Sequence, residues 1–416
     1  MTLKKIFKNQ AIGIILIQIF SKITGIFREI ILANFFGGSM LFADYLKLMT
    51  YGQLVAIFCT EGGLGGNLMK KFSLMHKRNL SFSKVRKQSL NIAVLVFIIV
   101  GLLQLFAWKF VLITDYNFTL VIIISALTSS IVFYFNVGQI ILLSSSNYSN
   151  LYKSNFFRSF IYLVLLYPLL FLFNILGAPL NRFISVLSQY FNTWKIVNKK
   201  INANSKSRSL GYSTRDFNIW VFLTNNSIFV WYVLLRIYFS FISGVDIIYL
   251  TYGFILASSF DGIIIKSFST YLLERNVNVK ISIKKTFLLV LLICVLAILG
   301  ALILGPYIIK LIFGSAGSFT NDQLQNIYYY FIVLLFLVCA NGLCNLVFQK
   351  VFSGRRKVQF KQSKYYILIS MITFVLISAF SLFNDFRLEY LIMIALGFSV
   401  VNFIYIIKLL KDESAF

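Results

Sequence analysis

The chain has 416 residues, 59% of them hydrophobic, with 39 lysines and arginines against 13 acids and a net charge of +26. At a mean hydropathy of +0.84, the apolar surface exceeds what a soluble core could bury, which excludes a soluble globular domain. The charge does not mark a nucleic-acid binder either, because the basic stretches lack the interleaved aromatics of a base-stacking platform, and short turns facing anionic headgroups account for it.

Apolar segments follow one another in chain order, near 11–36, 42–68, 88–112, 118–143, 155–174, 176–194, 217–242, 247–271, 286–308, 325–349, 365–383 and 389–408. Crossing a hydrocarbon layer roughly 30 Å thick takes a helix of about 20 residues, which each segment can supply. The first is too long for a secretory signal, contains Lys22, Arg28 and Glu29, and lacks a small-residue cleavage site, so it reads as the first membrane helix. The expectation is an all-α polytopic membrane protein with about twelve transmembrane helices.

Basic residues fall at every second connection. They crowd the N-terminus (Lys4, Lys5, Lys8), then Lys70 to Lys87, Lys153 and Arg158, Lys195 to Arg215, Arg275 to Lys285, Lys350 to Lys364, and finally Lys408 and Lys411. The alternate connections carry only Arg182 and Arg387, but hold Asp115, Asp246, Asp322, Asp385 and Glu389. The positive-inside rule therefore places the basic connections and both termini in the cytoplasm, with an even number of spans. The longest polar break, Lys199 to Asp216, reads as a solvated linker between an N-terminal lobe at 1–198 and a C-terminal lobe at 217–416.

The two halves carry a faint internal repeat. Arg28 lies in a helix ending at Gly37-Gly38, followed by Asp44 and then Glu61-Gly62; Arg236 lies in a helix ending at Ser243-Gly244, followed by Asp246 and then Asp261-Gly262. Six spans per half would make these parallel repeats, with a substrate path at their interface.

Ionisable groups inside spans are costly, about 2.5 to 3.5 kcal/mol each on insertion scales, and face a cavity or a partner. Lys22 and Glu29 share one face of the first helix, with Arg28 a third of a turn away, and Asp44, Lys47 and Tyr51 form one stripe on the second. The seventh adds Arg236 with Asn225 and Asn226, and the eighth adds Asp261 and Lys266. Lys22, Arg28, Glu29, Asp44, Lys47 and Arg236 are the candidate substrate-binding set, and Glu61, Asp261, Asn225 and Asn226 are candidates for coupling or structure. In the bland reading, Lys47, Lys266 and Lys310 snorkel to an interface, while Arg28-Glu29 and Asp261 make internal pairs. Cations from both halves suit an anion, since arginine and lysine are the residues that hold pyrophosphate oxygens. Cys59, Cys294, Cys339 and Cys344 all lie within apolar segments and read as packing residues, and His76 is the single histidine. No metal or cofactor is expected, and no residue set suggests covalent catalysis.

The stretch FSKITGIFREIILANFFGGSMLFADYLKL (Phe20 to Leu48), followed by CTEGG (Cys59 to Gly63), resembles the opening of the MurJ/MviN lipid II flippases, which read S-R-x-x-G-F-x-R-D, A-x-x-F-G, D-A-F and A-E-G. LIFGSAGSFTNDQLQ (Leu311 to Gln325) is similar to that family's L-F-x-x-G-x-F-T segment. The resemblance implies the superfamily of multidrug, oligosaccharidyl-lipid and polysaccharide exporters, with two six-helix lobes around a central cavity in a bacterial cytoplasmic membrane. Lys22, Arg28, Glu29 and, with a one-residue offset, Asp44 match the family's charged positions. TYGQLVAIF (Thr50 to Phe58) lacks the arginines of the family's P-N-L-x-R-R, and YLTYGFILA (Tyr249 to Ala257) lacks the charges of its A-D-R-L. MurJ proteins also carry two further helices.

These departures favour a Wzx-like flippase, carrying a polyprenyl-linked glycan across membrane lipids by alternating access with Na+ or H+ as a possible coupling ion. The alternatives are a lipid II flippase, a drug or cation exporter of the same superfamily, and a membrane polysaccharide polymerase. The short outer connections and lone His76 speak against the polymerase. The charge asymmetry makes a topological prediction: a cysteine at Ser207 resists an impermeant thiol reagent in intact cells, and one at Ser318 reacts. The reverse labelling pattern would overturn the orientation.

Overall fold

The computed structural model describes residues 10–56, 66–78, 80–144, 148–202, 227–242, 244–260, 283–314 and 318–353, together with positions 211, 368, 397 and 404. The described elements are helices: α1 (Gln10–Phe36), α2 (Met40–Ala56), α3 (Gly66–Lys77), α4 (Ser83–Phe110), α5 (Thr119–Ser144), α6 (Tyr148–Phe173), α7 (Gly177–Asn202), α8 (Ser227–Ile242), α9 (Asp246–Phe260), α10 (Ile283–Phe313) and α11 (Asn321–Ser353). The last two expected segments, 365–383 and 389–408, lie outside the described residues.

At least five of these runs are long and apolar enough to span a bilayer: α4, α5, α10, α11 and the 47-residue stretch Lys153–Lys199, which folds back on itself as α6 and α7. The protein is an all-α, multi-pass membrane protein. In α4, Val85, Ser89, Ala93, Val96, Val100, Gln104 and Ala107 are buried. That spacing of three and four residues keeps one stripe against the bundle and turns Leu90, Val94, Ile98 and Leu102 outward. Outward leucines and valines are what a lipid solvent accepts, whereas every backbone polar group must be met internally, as a helix does.

The turns follow from local chemistry. Gly37 adopts φ 51° and its amide donates to the Ala33 carbonyl at 2.8 Å, a left-handed cap that ends α1. Two residues on, the Ser39 hydroxyl accepts the Phe42 amide at 3.4 Å and opens α2. Between α6 and α7 the chain reverses through a 3-10 turn at Asn174–Leu176, with Asn174 at φ 53°. Gly177 closes that turn, and a Cβ there would stand 2.3 Å from the Leu169 carbonyl oxygen.

One expectation needs correction. The basic stretch after the second segment, taken as a polar connection, contains the amphipathic helix α3. Leu68, Phe72 and Met75 recur at helical spacing and are buried, while His76 and Lys77 are exposed. They join Val85, Val96, Val137, Ile140 and Val197 in a core shared by α3, α4, α5 and α7. Twelve residues with a narrow apolar stripe fall below the length that a hydropathy reading registers.

The chain forms two compact units, Met1–Ile247 and Ile248–Phe416. In the first, α1 packs on α6, α6 on α7, α5 on both α4 and α7, and α8 on α2. The expected linker at 199–216 lies mostly outside the described residues.

In the second unit α10 contains Pro306. Proline has no N–H to give the carbonyl four residues earlier, and the hydroxyl of Tyr328 on α11 donates to that Leu302 carbonyl at 3.2 Å. Gly305 makes room, since a Cβ there would lie 2.7 Å from the Tyr328 ring. Nearby, α9 approaches α11 so closely that a Cβ on Gly253 would lie 2.8 Å from the Phe331 amide nitrogen. Backbone cannot move aside as a side chain can. Gly253→Ala therefore destabilises the second unit by about 1–3 kcal/mol, seen as a lower unfolding temperature in detergent. Gly300→Ala, with nothing within 4 Å, is the control and stays within about 0.5 kcal/mol.

Candidate functional site

Helix α2 organises the polar interior of the first unit. Its residues from Phe42 to Gly52 are all buried, so its charged and polar groups must find partners within the protein. They find them in three directions.

Toward α8, Arg236 is only 2% exposed. Its Nη2 donates to the Leu46 carbonyl at 2.7 Å and its Nη1 to Gln53 Oε1 at 3.0 Å. The guanidinium also lies 5.3 Å above the Tyr232 ring, and its Nε has no acceptor among the described residues. One turn along, the hydroxyls of Tyr51 and Ser240 meet at 3.3 Å. Ser240 gives its own proton to the Ile237 carbonyl at 2.6 Å, so Tyr51 is the donor of the pair.

Toward the connection after α4, Asp44 is fully buried. Its Oδ2 accepts the amides of Ile113 at 3.1 Å and Thr114 at 2.7 Å. Its Oδ1 faces Lys47 Nζ at 3.4 Å, an ion pair with both side chains at 1% exposure or less. The contact is electrostatic, because Oδ1 has no partner with hydrogen-bond geometry. Further along, the Gln104 amide reaches the Leu48 carbonyl at 3.5 Å and accepts the Ser125 hydroxyl at 2.7 Å. Gly52 lets Gln104 in, since a Cβ there would stand 2.8 Å from its Nε2.

Toward α1 and α6, Arg28 pairs with the neighbouring Glu29 carboxylate and lies 5.5 Å from the Tyr162 ring centre. The Arg28 side chain keeps 34% of its surface exposed, whereas Glu29 keeps 6%. Tyr45 of α2 lies within electrostatic range of Tyr162, Arg182, Arg28 and Glu29. Asn181 holds this corner together by donating to the Tyr162 carbonyl at 2.7 Å, which ties the start of α7, and with it Arg182, to α6.

The predicted site residues thus separate. Arg28 and Glu29 share a partly accessible cluster, Asp44 and Lys47 are locked to each other, and Arg236 is tied to α2. Lys22 lies within α1. Glu61, Asn225, Asn226 and Asp261 lie outside the described residues, as does Lys266. The residues that sequence reasoning missed are Tyr45, Tyr162, Arg182, Gln53 and Gln104. Arg182 had a signal, being one of two basic residues among connections otherwise without them; the others are ordinary polar residues in apolar helices.

Asp44 holds two backbone amides and a buried cation together. Asp44→Ala leaves Lys47 uncompensated, and the expected loss is about 3–5 kcal/mol of stability, with reduced yield of folded protein. Adding Lys47→Met recovers part of it in detergent unfolding, because the stranded charge is then gone.

A bundle with these features defines a class, the polytopic α-helical membrane protein with a polar interior, and its fold has solved counterparts. The lipid II flippase MurJ in its inward closed conformation superposes with a TM-score of 0.64 at 18% identity, over 96% of this chain and 87% of that one. A MATE protein in complex with MaL6 gives 0.62 at 14% identity, over 97% and 95% of the two chains. An inward-facing multidrug resistance MATE transporter of the MOP superfamily gives 0.61 at 13%, over 95% of each. These likenesses establish the fold. No family model matches the chain, and no curated protein matches it in sequence.

Proposed function

We propose that this protein is a transporter that moves a polyprenyl-pyrophosphate-linked oligosaccharide across the membrane by alternating access, without covalent chemistry. The observation that carries this reading is the charge balance of the first unit. Lys47 is matched by Asp44 and Arg28 by Glu29, while neither Arg182 nor Arg236 has an ion pair among the described residues. An interior left positive favours an anionic headgroup and disfavours an organic cation. Arg28 is the member best placed to receive one, since its guanidinium is partly exposed yet held by Glu29 and Tyr162. A preorientated arginine of this kind grips phosphate oxygens through paired N–H donors. Asp44 and Lys47, by contrast, act in this reading as a frame for α2.

The shared fold of MurJ and the MATE transporters supports a transport role, and MurJ gives one specific substrate, lipid II, a structural argument. The polysaccharide repeat unit remains the reading from sequence, because Thr50 to Phe58 and Tyr249 to Ala257 lack the arginines of the lipid II flippases. Both substrates carry the same pyrophosphate, and a cell assay separates them. Expression in cells depleted of their own MurJ is expected not to restore growth; rescue at modest expression would establish lipid II as a substrate. Resistance to ethidium conferred by the same expression would instead support drug export.

Arg28→Ala removes charge-assisted hydrogen bonds worth about 1.5–3 kcal/mol, which corresponds to roughly a 10- to 100-fold loss of transport. Arg28→Lys should recover part of it; because Arg28→Ala also leaves the buried Glu29 carboxylate unpaired, transport is compared per folded, inserted protein. Undiminished transport by the alanine variant would remove Arg28 from the substrate site.

A further inference from the structure

A second polar site lies away from α1 and α2, at the basic end of the first unit. There α4 begins, α5 approaches its end, and the second half of α7 runs alongside. Between them is a cavity of about 560 Å³ whose lining includes Ser83, Arg86, Lys87, Ser130, Tyr134 and Tyr190. That volume suits a headgroup with part of its chain. Arg86 is the organising residue. Its Nε donates to the Tyr134 hydroxyl at 3.2 Å, and its guanidinium carbon lies 5.3 Å above the Trp194 ring. Tyr190 packs on Trp194 with ring centres 4.8 Å apart. Two contacts of different kinds thus fix the plane of the guanidinium, and its two Nη groups have no partner among the described residues. An arginine fixed in this way can turn its terminal N–H groups to a bidentate oxyanion. Lys87 is the next residue but exposed, and Ser83 lies in the first turn of α4.

The other wall of the cavity is apolar. Leu90, Ala93, Ile131 and Leu187 line it, and Leu90 continues along α4 into Val94, each more than half exposed. A soluble anion would gain nothing from that wall. An anion at the end of a hydrocarbon chain gains both, with its head on Arg86 and Lys87 and its chain along the outward face of α4. Basic pockets between transmembrane helices near the cytoplasmic surface have this character.

We propose that this groove binds an anionic phospholipid from the leaflet at the basic end of the unit, with its phosphate on Arg86 and Lys87. The site is separate from the Arg28 cluster, so the proposal does not depend on the identity of the transported molecule.

The test uses the full-length protein in neutral detergent, with thermal unfolding and native mass spectrometry as readouts. Phosphatidylglycerol should raise the unfolding temperature and remain bound through mild activation, whereas phosphatidylcholine should do neither. Arg86→Gln combined with Lys87→Gln should weaken phosphatidylglycerol retention by at least about tenfold. Arg86→Lys should retain part of the binding, and Lys109→Gln at the opposite end of α4 should leave it unchanged. Melting each variant without lipid separates loss of the site from loss of the fold. Unchanged retention by the double glutamine variant would overturn the proposal. So would equal retention of phosphatidylcholine, or the same stabilisation by inorganic phosphate alone, which would mark a soluble-anion site.

Discussion

Arg236 sets the main constraint on the first unit. A guanidinium buried among membrane helices needs protein acceptors, and Arg236 finds them for both Nη groups, though not for Nε among the described residues. The acceptors it uses are a helix carbonyl, Leu46, and one side chain, Gln53, both on α2. Neither is a carboxylate, so the contact satisfies hydrogen bonds without neutralising charge. It ties α8 to α2 at one register, and the Tyr51–Ser240 hydroxyl pair one turn away holds the same register. Sliding α8 by a turn would leave Arg236 without its acceptors.

The burial of α2 follows from the same logic. A helix surrounded by protein can carry Asp44, Lys47, Thr50 and Gln53 only if each finds a partner, either on a neighbouring element or within α2 itself. The amides after α4 take Asp44, Asp44 takes Lys47, the Leu46 carbonyl takes the Thr50 hydroxyl at 2.7 Å, and Arg236 takes Gln53. Arg28 differs because a third of its side-chain surface remains open. That difference separates groups that shape the unit from one able to meet a ligand. The two polar sites are built alike, each from an arginine oriented by an aromatic ring and a second partner: Tyr162 and Glu29 for Arg28, Trp194 and Tyr134 for Arg86.

Among the described residues of the second unit, close helix approaches are achieved by removing side chains. Gly253 and Gly305 let backbones and rings come within reach, and Tyr328 meets the carbonyl that Pro306 releases. Within lipid, packing and satisfied backbone groups have to supply the helix association that hydrophobic burial supplies in water.

The sequence by itself determined the solvent, the helical class and some of the helix ends, such as Phe36 of α1 and Ser144 of α5, while α2 stops at Ala56, well short of the end of the apolar run. Runs of apolar residues, alternating basic connections and the helix end at Gly37 are local quantities, legible in a short window. It also identified the residues with unusual energetic demands, Arg28, Glu29, Asp44, Lys47 and Arg236, because charge within an apolar run is conspicuous wherever it points. Only the tertiary structure decided what each charge meets. Asp44 reaches amides about seventy positions away, Arg236 reaches a carbonyl 190 positions away, and Arg182 joins the Arg28 corner through a helix reversal at Asn174. The period of a helix places residues on a face but does not say which helix lies opposite. The function of a buried charge depends on that second fact, since the same arginine is a clasp against a carbonyl and a ligand site when its donors are free.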